Sequence, residues 1–173
     1  DWKTMLQNAA NYAKDAMAGM VGVPKMSRLE IAGILCSYLP QALVDARTPE
    51  SFDHRARARL GDTTVASLGG AVVGFVMLDG DQVDHLYLDR PARGSGVGAA
   101  LLRRAERLVT AAGHRHPGLA VATGNTGARR FYERQGWIDE GPFDHEAPAP
   151  GGSVVVDCHR FVAPDPDDAR VGA

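Results

Sequence analysis

The pattern of apolar and polar positions changes from helical to strand-like about one third of the way along the chain. Residues 63–78 contain two β-rich runs around Gly69 and Gly70, which suit the tight turn of a hairpin, and residues 82–88 form a third run. Residues 95–112 then repeat apolar positions at intervals of three and four, which predicts an amphipathic helix. The remaining predicted elements are a strand at 119–123, a short helix at 125–136 and a last strand at 153–162.

The residues before the first hairpin have helical periodicity. An amphipathic helix is predicted over residues 1–20, a second helix over 28–46, and a short third helix that begins near Thr48 and Pro49. A chain of this length suits one domain with a single core. The predicted division is a domain at 1–163, made of a helical part at 1–60 and a core at 62–162, followed by a disordered polar tail at 164–173.

The composition is that of an ordinary globular domain, with 45% hydrophobic and 23% charged residues. A net charge of −2 does not favour non-specific binding to nucleic acid. The chain contains neither an apolar run of about 18 residues, which a membrane span needs, nor a recognisable signal peptide, so we expect a cytoplasmic protein. The histidines and cysteines lack metal-ligand spacing, so no metal is expected, and Cys36 and Cys158 are expected to be buried, unpaired thiols.

Three glycines lie between the third β-rich run and the long helix, at Gly94, Gly96 and Gly98. A glycine inside a helix or strand costs about 0.5–1 kcal/mol relative to alanine, so bare backbone must be useful here. Successive N–H groups at the start of a helix can converge on an anion, and Arg93 adds a cation beside them. The segment predicts a phosphate or pyrophosphate site, with a tight strand-to-helix corner as the alternative explanation.

Two phosphate-binding motifs fit this segment poorly. A P-loop requires Lys and then Ser or Thr after its last glycine, and this chain has Ala99 and Ala100 there. The dinucleotide fingerprint requires the spacing G-x-G-x-x-G and an acidic residue about 20 positions later. Here the glycines alternate, and the preceding strands form an antiparallel-looking meander.

The spacing of Arg93, Gly96 and Gly98 resembles the R/Q-x-x-G-x-G/A acetyl-CoA motif of the GNAT acyltransferase family. The later stretch NTGARRFYERQGW resembles the family's second signature, an Asn followed by Phe-Tyr-Glu and then by Gly and an aromatic residue. Both motifs have the family's order and spacing, and the resemblance covers residues 62–162. It implies an α/β fold of the α+β type, with a mixed, mostly antiparallel central sheet flanked by helices. The family's usual first strand either lies upstream of Asp1, is replaced by RLEIA, or is absent.

The resemblance implies acetyl-CoA as cosubstrate. Its pyrophosphate would lie on the N–H groups at the start of the long helix, and its pantetheine arm would pair with the preceding strand like an extra strand. An N–H group near Leu88 would face the thioester oxygen, and Tyr132 would protonate the coenzyme A thiolate, unless Tyr132 is only a core aromatic beside Phe131. The residues assigned to cofactor binding are Leu86, Tyr87, Leu88, Arg93, Gly94, Ser95, Gly96, Val97, Gly98 and Asn125.

The general base is assigned to Asp84 or His85, with a water molecule as an equally open alternative. Family enzymes often carry a carboxylate on this strand, and a histidine has the better intrinsic pKa for neutral pH. A bulge could turn either side chain toward the cleft. Simple alternation puts Gln82, Asp84, Leu86 and Leu88 on one face of the strand, and Val83, His85 and Tyr87 on the other.

The acceptor pocket is expected between the N-terminal helices and the last hairpin. The predicted loop of that hairpin, residues 141–153, holds Asp144, His145 and Glu146. Its carboxylates could steer a cationic amine, or could belong to a solvated loop tip. The sequence does not encode the identity of the acceptor.

The predicted function is acetyl-CoA-dependent N-acetylation of a primary amine on a small molecule or a protein. Two other classes stay open: a catalytically silent acyl-CoA-binding sensor or regulatory module, and an interaction protein in which residues 1–20 dock a partner. No nucleic-acid or membrane partner is expected, and a homodimer is an open alternative. Steady-state release of thiol with a panel of amines would separate the enzyme from the other two classes.

Overall fold

The computed structural model describes residues 39–40, 42–43, 58–149 and 151–165. The predicted helices of residues 1–60 and the predicted tail fall almost entirely outside these residues. Within the described part, six strands and two helices follow one another in the order β1 (Thr63–Leu68), β2 (Ala71–Asp79), β3 (Gln82–Leu88), α1 (Val97–Ala111), β4 (Gly118–Ala122), α2 (Thr126–Arg134), β5 (Ile138–Ala149) and β6 (Gly152–Val162).

The six strands form one sheet in the order β1-β2-β3-β4-β6-β5. Neighbouring strands are antiparallel except for β3 and β4, which are parallel. The first turn has left-handed backbone at both Gly69 (φ 58°) and Gly70 (φ 81°), a conformation that twists a two-residue hairpin correctly and that glycine adopts without strain. The predicted mixed, mostly antiparallel sheet with flanking helices is confirmed.

β3 and β4 separate almost as soon as they meet. Their only residue pair joins Gln82 to Gly118, next to a hydrogen bond from the Gly118 N–H to the Asp81 carbonyl at 3.1 Å. β3 continues beside β2 as far as Leu88, whereas β4 continues beside β6 as far as Ala122. The sheet therefore opens between the carboxyl ends of its two central strands.

The main core lies between one face of the sheet and the two helices. The buried positions of α1 recur at the helical spacing, at Leu101, Leu102, Ala105 and Val109. They pack against Val76 of β2, Leu119 and Val121 of β4, and Phe161 of β6. The opposite face carries a second cluster, in which Leu43 packs against Ala147, Val156 and Cys158. Within the described residues, no helix is long and apolar enough to cross a membrane.

Cys158 is a buried, unpaired thiol. Burial raises its pKa to about 11, and the nearby Asp157 carboxylate adds to the effect. The thiol is therefore in its neutral form at ordinary pH. The expectation for Cys36 falls outside the described residues.

The sequence interpretation of residues 141–153 as a loop is wrong. Most of them belong to β5, which pairs with β6 along its whole length, and the turn is confined to the residues between Ala149 and Gly152. Alternate side chains from Phe143 to Ala149 turn inward, as strand geometry requires. The prolines at positions 142 and 148 are tolerated because β5 lies at the edge of the described sheet.

We predict that Gly74→Ala destabilises the protein. A Cβ at this position in β2 would lie 2.6 Å from the Tyr87 carbonyl oxygen and 2.8 Å from Leu88 Cδ2, and the backbone oxygen cannot move without disturbing β3. Overpacking of this kind costs about 2 kcal/mol, which urea unfolding measures directly. Gly61→Ala is the control, because no atom lies within 4 Å of its Cβ position. Equal stabilities for the two variants would contradict the prediction.

Candidate active site

The corner between β3 and α1 is organised by a buried aspartate that the sequence analysis did not single out. The Asp89 side chain accepts a hydrogen bond from the Arg90 N–H at 3.0 Å, and the Asp89 N–H donates to the Val73 carbonyl at 2.8 Å. Asp89 is only 5% exposed and caps the short 3-10 turn Arg90–Ala92. An Asp two positions before a Pro, directly after a β-rich run, is the sequence signal that could have found it.

The predicted glycine segment forms an open row of backbone N–H groups. Gly94 (φ 79°) and Gly96 (φ 85°) have left-handed backbone, and no atom lies within 4 Å of the position of a Cβ at either residue. Gly96 begins α1 without any side-chain cap. Within the described residues, the N–H groups of Val97, Gly98 and Ala99 have no hydrogen-bond acceptor. Together with the helix dipole, this arrangement favours an anion at the start of α1.

Gly98 serves a different purpose from the other two glycines. Its backbone is helical, but a Cβ there would lie 2.7 Å from Leu88 Cδ1 and 3.4 Å from Phe131 Cζ. The missing side chain therefore lets the start of α1 approach both the end of β3 and α2. The end of β3, the start of α1 and α2, which all carry predicted site residues, therefore meet at Gly98.

Arg93 turns back toward the end of β3. Its Nη2 lies 3.5 Å from the Leu88 carbonyl oxygen, and its positive charge also acts on Tyr87. Burial is the main influence on Tyr87 and raises the pKa of its phenol well above the ordinary value, although Arg93 opposes this shift. The Tyr87 ring stacks on Phe75, with centroids 6.0 Å apart. The guanidinium of Arg93 is thus placed beside both the opening of the sheet and the glycine segment.

The second predicted motif forms α2 and its cap. Asn125 Oδ1 accepts a hydrogen bond from the Ala128 N–H at 3.2 Å, which fixes the start of the helix. Tyr132 is 7% exposed and packs against the rings of Phe131, Trp137 and Phe161, with centroids 5.2–5.9 Å apart. Burial raises the pKa of Tyr132, and its hydroxyl makes no hydrogen bond within the described part of the chain. Tyr132 therefore stays protonated at ordinary pH.

β3 contains the bulge that the sequence analysis allowed. Met77 pairs with His85 and Leu78 pairs with Val83, so Asp84 is the extra residue. The bulge puts Val83 in the same core cluster as Leu86 and Leu88, so the strict alternation expected for this strand is wrong at Val83. Asp84 Oδ2 and His85 Nδ1 are 3.0 Å apart, close enough for charge interaction but not aligned for a hydrogen bond. Both candidate bases are thus adjacent and partly exposed.

Comparison with known proteins decides the family. The model of the acetyltransferase (GNAT) family matches residues 29–137, which is more than half of the chain. This protein belongs to the GNAT acetyltransferase family. The match includes both predicted motifs of the GNAT chain and extends upstream of its first described strand.

Solved structures show that the GNAT fold extends over most of the chain. A GCN5-related N-acetyltransferase from Rhodopseudomonas palustris is 24% identical, with a TM-score of 0.53 over 67% of this chain and 69% of that one. An N-acetyltransferase from Staphylococcus aureus is 15% identical, with a TM-score of 0.53 over 80% and 95%. A GNAT superfamily phosphinothricin acetyltransferase from Sinorhizobium meliloti, solved in complex with acetyl-CoA, is 21% identical, with a TM-score of 0.53 over 68% and 70%. None of the functionally curated proteins matched the sequence.

This GNAT protein also contains an ionic cluster that sequence reasoning missed. Arg129 of α2, Asp139 of β5 and His159 of β6 meet between the helix and the sheet. Burial alone would raise the pKa of Asp139, but hydrogen bonds from His159, the Gly141 N–H and Arg129 outweigh it and lower the pKa. Within the described residues, no group of three or more His, Cys, Asp or Glu side chains is placed to hold a metal ion.

We predict that Asp139→Asn makes the free energy of unfolding change less as the pH is lowered from neutral to acidic values. Because the pKa of Asp139 is lower in the folded than in the unfolded protein, its ionised carboxylate stabilises the fold above about pH 4 and stops doing so as the pH falls through the folded pKa. Urea unfolding should therefore show a difference between parent and variant at neutral pH that shrinks toward pH 3. Glu133→Gln, which alters an exposed carboxylate on α2, is the control. A difference that is constant with pH would contradict the assignment.

Proposed function

We propose that this GNAT protein is an acetyl-CoA-dependent N-acetyltransferase that acts on a primary amine. The observation that carries the proposal is the open row of N–H groups at Val97, Gly98 and Ala99, beside the gap between β3 and β4. An anion held at that row would lie at one end of the gap, and an extended arm could follow β3 into it. Similar structures solved with acetyl-CoA support the same cosubstrate.

The residues present fit the cosubstrate. The backbone at Gly94 and Gly96 is open on the side that a Cβ would occupy, so pyrophosphate oxygens could approach it closely. Ser95 Oγ donates to the Ala92 carbonyl at 2.6 Å, which leaves Ser95 to stabilise the turn rather than to bind by its hydroxyl. Asn125 keeps its side-chain N–H groups for the pantetheine arm while its oxygen caps α2.

When bound, acetyl-CoA supplies an activated acetyl thioester. The backbone N–H near Leu88 is proposed to stabilise the negative charge that develops on the carbonyl oxygen. Tyr132 is proposed to donate its proton to the departing sulfur, since burial keeps the phenol neutral and its hydroxyl makes no hydrogen bond within the described residues. Asp84 and His85 are proposed to accept the proton from the amine, directly or through water.

One observation favours the alternative of a catalytically silent acyl-CoA-binding module. Tyr132 is embedded among three aromatic rings, as a purely structural residue would be. A sensor would bind acetyl-CoA without releasing thiol in the presence of amines, whereas an enzyme would release it continuously. Steady-state thiol release with a panel of primary amines tests the proposed function directly.

We predict that acetyl-CoA raises the melting temperature and that Gly96→Val abolishes this shift. Ligand at about 100 times its dissociation constant stabilises a fold by roughly 2.7 kcal/mol, or about 5–10 °C for a chain of this size. Valine at position 96 would both strain the left-handed backbone and fill the open side of the anion site. Gly113→Val is the matched control, because Gly113 (φ 94°) also has left-handed backbone, so valine there causes similar strain at the other end of α1. If acetyl-CoA still raised the melting temperature of Gly96→Val, the anion site could not lie in this segment.

We predict that Tyr132→Phe lowers turnover and leaves cofactor binding intact. The substitution removes a hydroxyl that makes no hydrogen bond in the described structure, so stability should barely change. If that hydroxyl protonates the leaving thiolate, kcat should fall by about 10²–10⁴-fold while the KM for acetyl-CoA stays nearly constant. Steady-state kinetics with an active amine measures both constants. A kcat within threefold of the parent would make Tyr132 a core residue only.

A further inference from the structure

Arg129 connects three elements that meet beside the proposed cleft. Its Nη2 donates to Asp139 Oδ2 at 3.2 Å, and its Nη1 lies 3.5 Å from the carbonyl oxygen of Thr123. Asp139 belongs to β5, and Thr123 is the residue directly after β4. One guanidinium group on α2 therefore reaches both the strand that precedes the helix and the strand that follows it.

Asp139 is itself fixed by groups other than Arg129. His159 Nδ1 lies 2.9 Å from each carboxylate oxygen, and the Gly141 N–H donates to Oδ1 at 2.9 Å. His159 is on β6 and its side chain is largely buried. Bonds from the backbone of its own strand and from the neighbouring strand hold the carboxylate in one place. Arg129 thus attaches α2 to a fixed point of the sheet.

The position of Arg129 along α2 relates this attachment to the proposed reaction. Arg129 lies four residues after Asn125 and three before Tyr132. Residues at these spacings share one side of a helix, so the attachment lies between the cap and the proposed acid. The Arg129 N–H also donates to the Asn125 carbonyl at 3.1 Å. Any rotation or translation of α2 about the Arg129 contact would move both residues.

The other contacts that hold α2 are either apolar packing, which is less directional than a hydrogen bond, or lie beyond the end of the helix. Phe131 and Tyr132 pack through apolar surface, which favours burial but not one particular register. The hydrogen bond from Trp137 Nε1 to Glu106 at 2.7 Å joins the chain just beyond the end of α2 to α1. Among the side chains in the first two turns of α2, and within the described residues, Arg129 is the one that hydrogen-bonds to groups beyond the helix.

We propose that Arg129 is a positioning residue, which fixes α2 on the sheet through Asp139 and so sets the places of Asn125 and Tyr132. The effect of Arg129 on turnover rests on the proposed acetyltransferase function, whereas its attachment of α2 to the sheet does not. Displacement of a reacting group by about 1 Å can lower a rate on the order of 10²-fold.

Arg129→Met tests the attachment, because it removes the guanidinium and keeps most of the apolar length of the side chain. Arg130→Met is the matched control, since Arg130 is an exposed neighbour with no ion pair in the described part of the chain. At a temperature where every variant is fully folded, we expect kcat to fall by at least about tenfold in the first and to stay within about twofold in the second. Arg129→Lys, which keeps a cation near Asp139, should retain more turnover than Arg129→Met. If the role of Arg129 were purely structural, its substitution would lower the melting temperature but leave the kcat of the folded variant unchanged.

The double variant Arg129→Met/Asp139→Asn shows whether the two side chains act together. If Arg129 acts through Asp139, each single variant should lose a similar factor in kcat and the double variant should lose little more. Losses that multiply would show independent roles and would overturn the proposal.

Amide exchange separates failure of this inference from failure of the proposed function. If no amine supports turnover in the parent, the proposed function fails, but the attachment still predicts faster exchange for residues 126–134 in Arg129→Met than in Arg130→Met, by about tenfold or more. Exchange at the parent rate in Arg129→Met would overturn the attachment whatever the activity. Accelerated exchange with kcat within threefold of the parent would overturn its role in the reaction.

Discussion

The separation of β3 from β4 is the constraint on which the rest of the structure depends. A strand in the middle of a sheet normally exchanges hydrogen bonds with a neighbour on each side, because buried backbone groups without partners cost free energy. Here the pairing of the two central strands stops after Gln82 and Gly118. The sheet survives the gap because each strand keeps an antiparallel neighbour, β2 on one side and β6 on the other. Within the described residues, the facing sides of β3 and β4 have no neighbouring strand beyond that pair, an arrangement that can accept an extended ligand.

The two helices begin beside the gap and are joined to each other and to the sheet. α1 follows the β3 corner that Asp89 caps, and α2 follows β4 after a short connection. Gly98 lets the two helices and the end of β3 approach one another, since a side chain there would collide with Leu88. The hydrogen bond between Trp137 and Glu106 links the helices again farther from the cleft. Polar bonds as well as apolar packing thus fix the two helices beside the gap.

Local sequence signals predicted the parts of the fold that depend on local physics. Gly69 and Gly70 identified the first hairpin because left-handed backbone at two successive residues is nearly specific to glycine. The amphipathic spacing of Leu101, Leu102, Ala105 and Val109 gave α1 within two residues of its observed ends. Most of the edge strand β5 was missed because its prolines and charges look like the loop of a hairpin until the pairing with β6 is known. Edge position, not propensity, decides whether such a segment forms a strand.

Contacts that depend on sheet register could not be read from the sequence in the same way. Asp139 and His159 are 20 positions apart and meet because the register of β5 with β6 pairs Asp139 with Phe161, two residues from His159 on the same strand. The bulge in β3 likewise follows from the pairing of β2 with β3, and it decides which face Val83 occupies.

The distribution of charge along the chain matches the geometry of the proposed site. Residues 90–134 contain nine arginines and two glutamates, a net charge of +7, in a chain whose total is −2, so the remaining residues carry −9. That segment includes both helices and the corner at Arg93. The exposed arginines of α1 and α2 lie on the sides of the helices that face away from the core. A charge acts over roughly a Debye length, about 8–10 Å at physiological salt, so a local excess of arginine makes this segment electropositive relative to the acidic remainder of the chain. Net charge taken over the whole chain conceals this asymmetry, because the acidic remainder of the chain nearly cancels it.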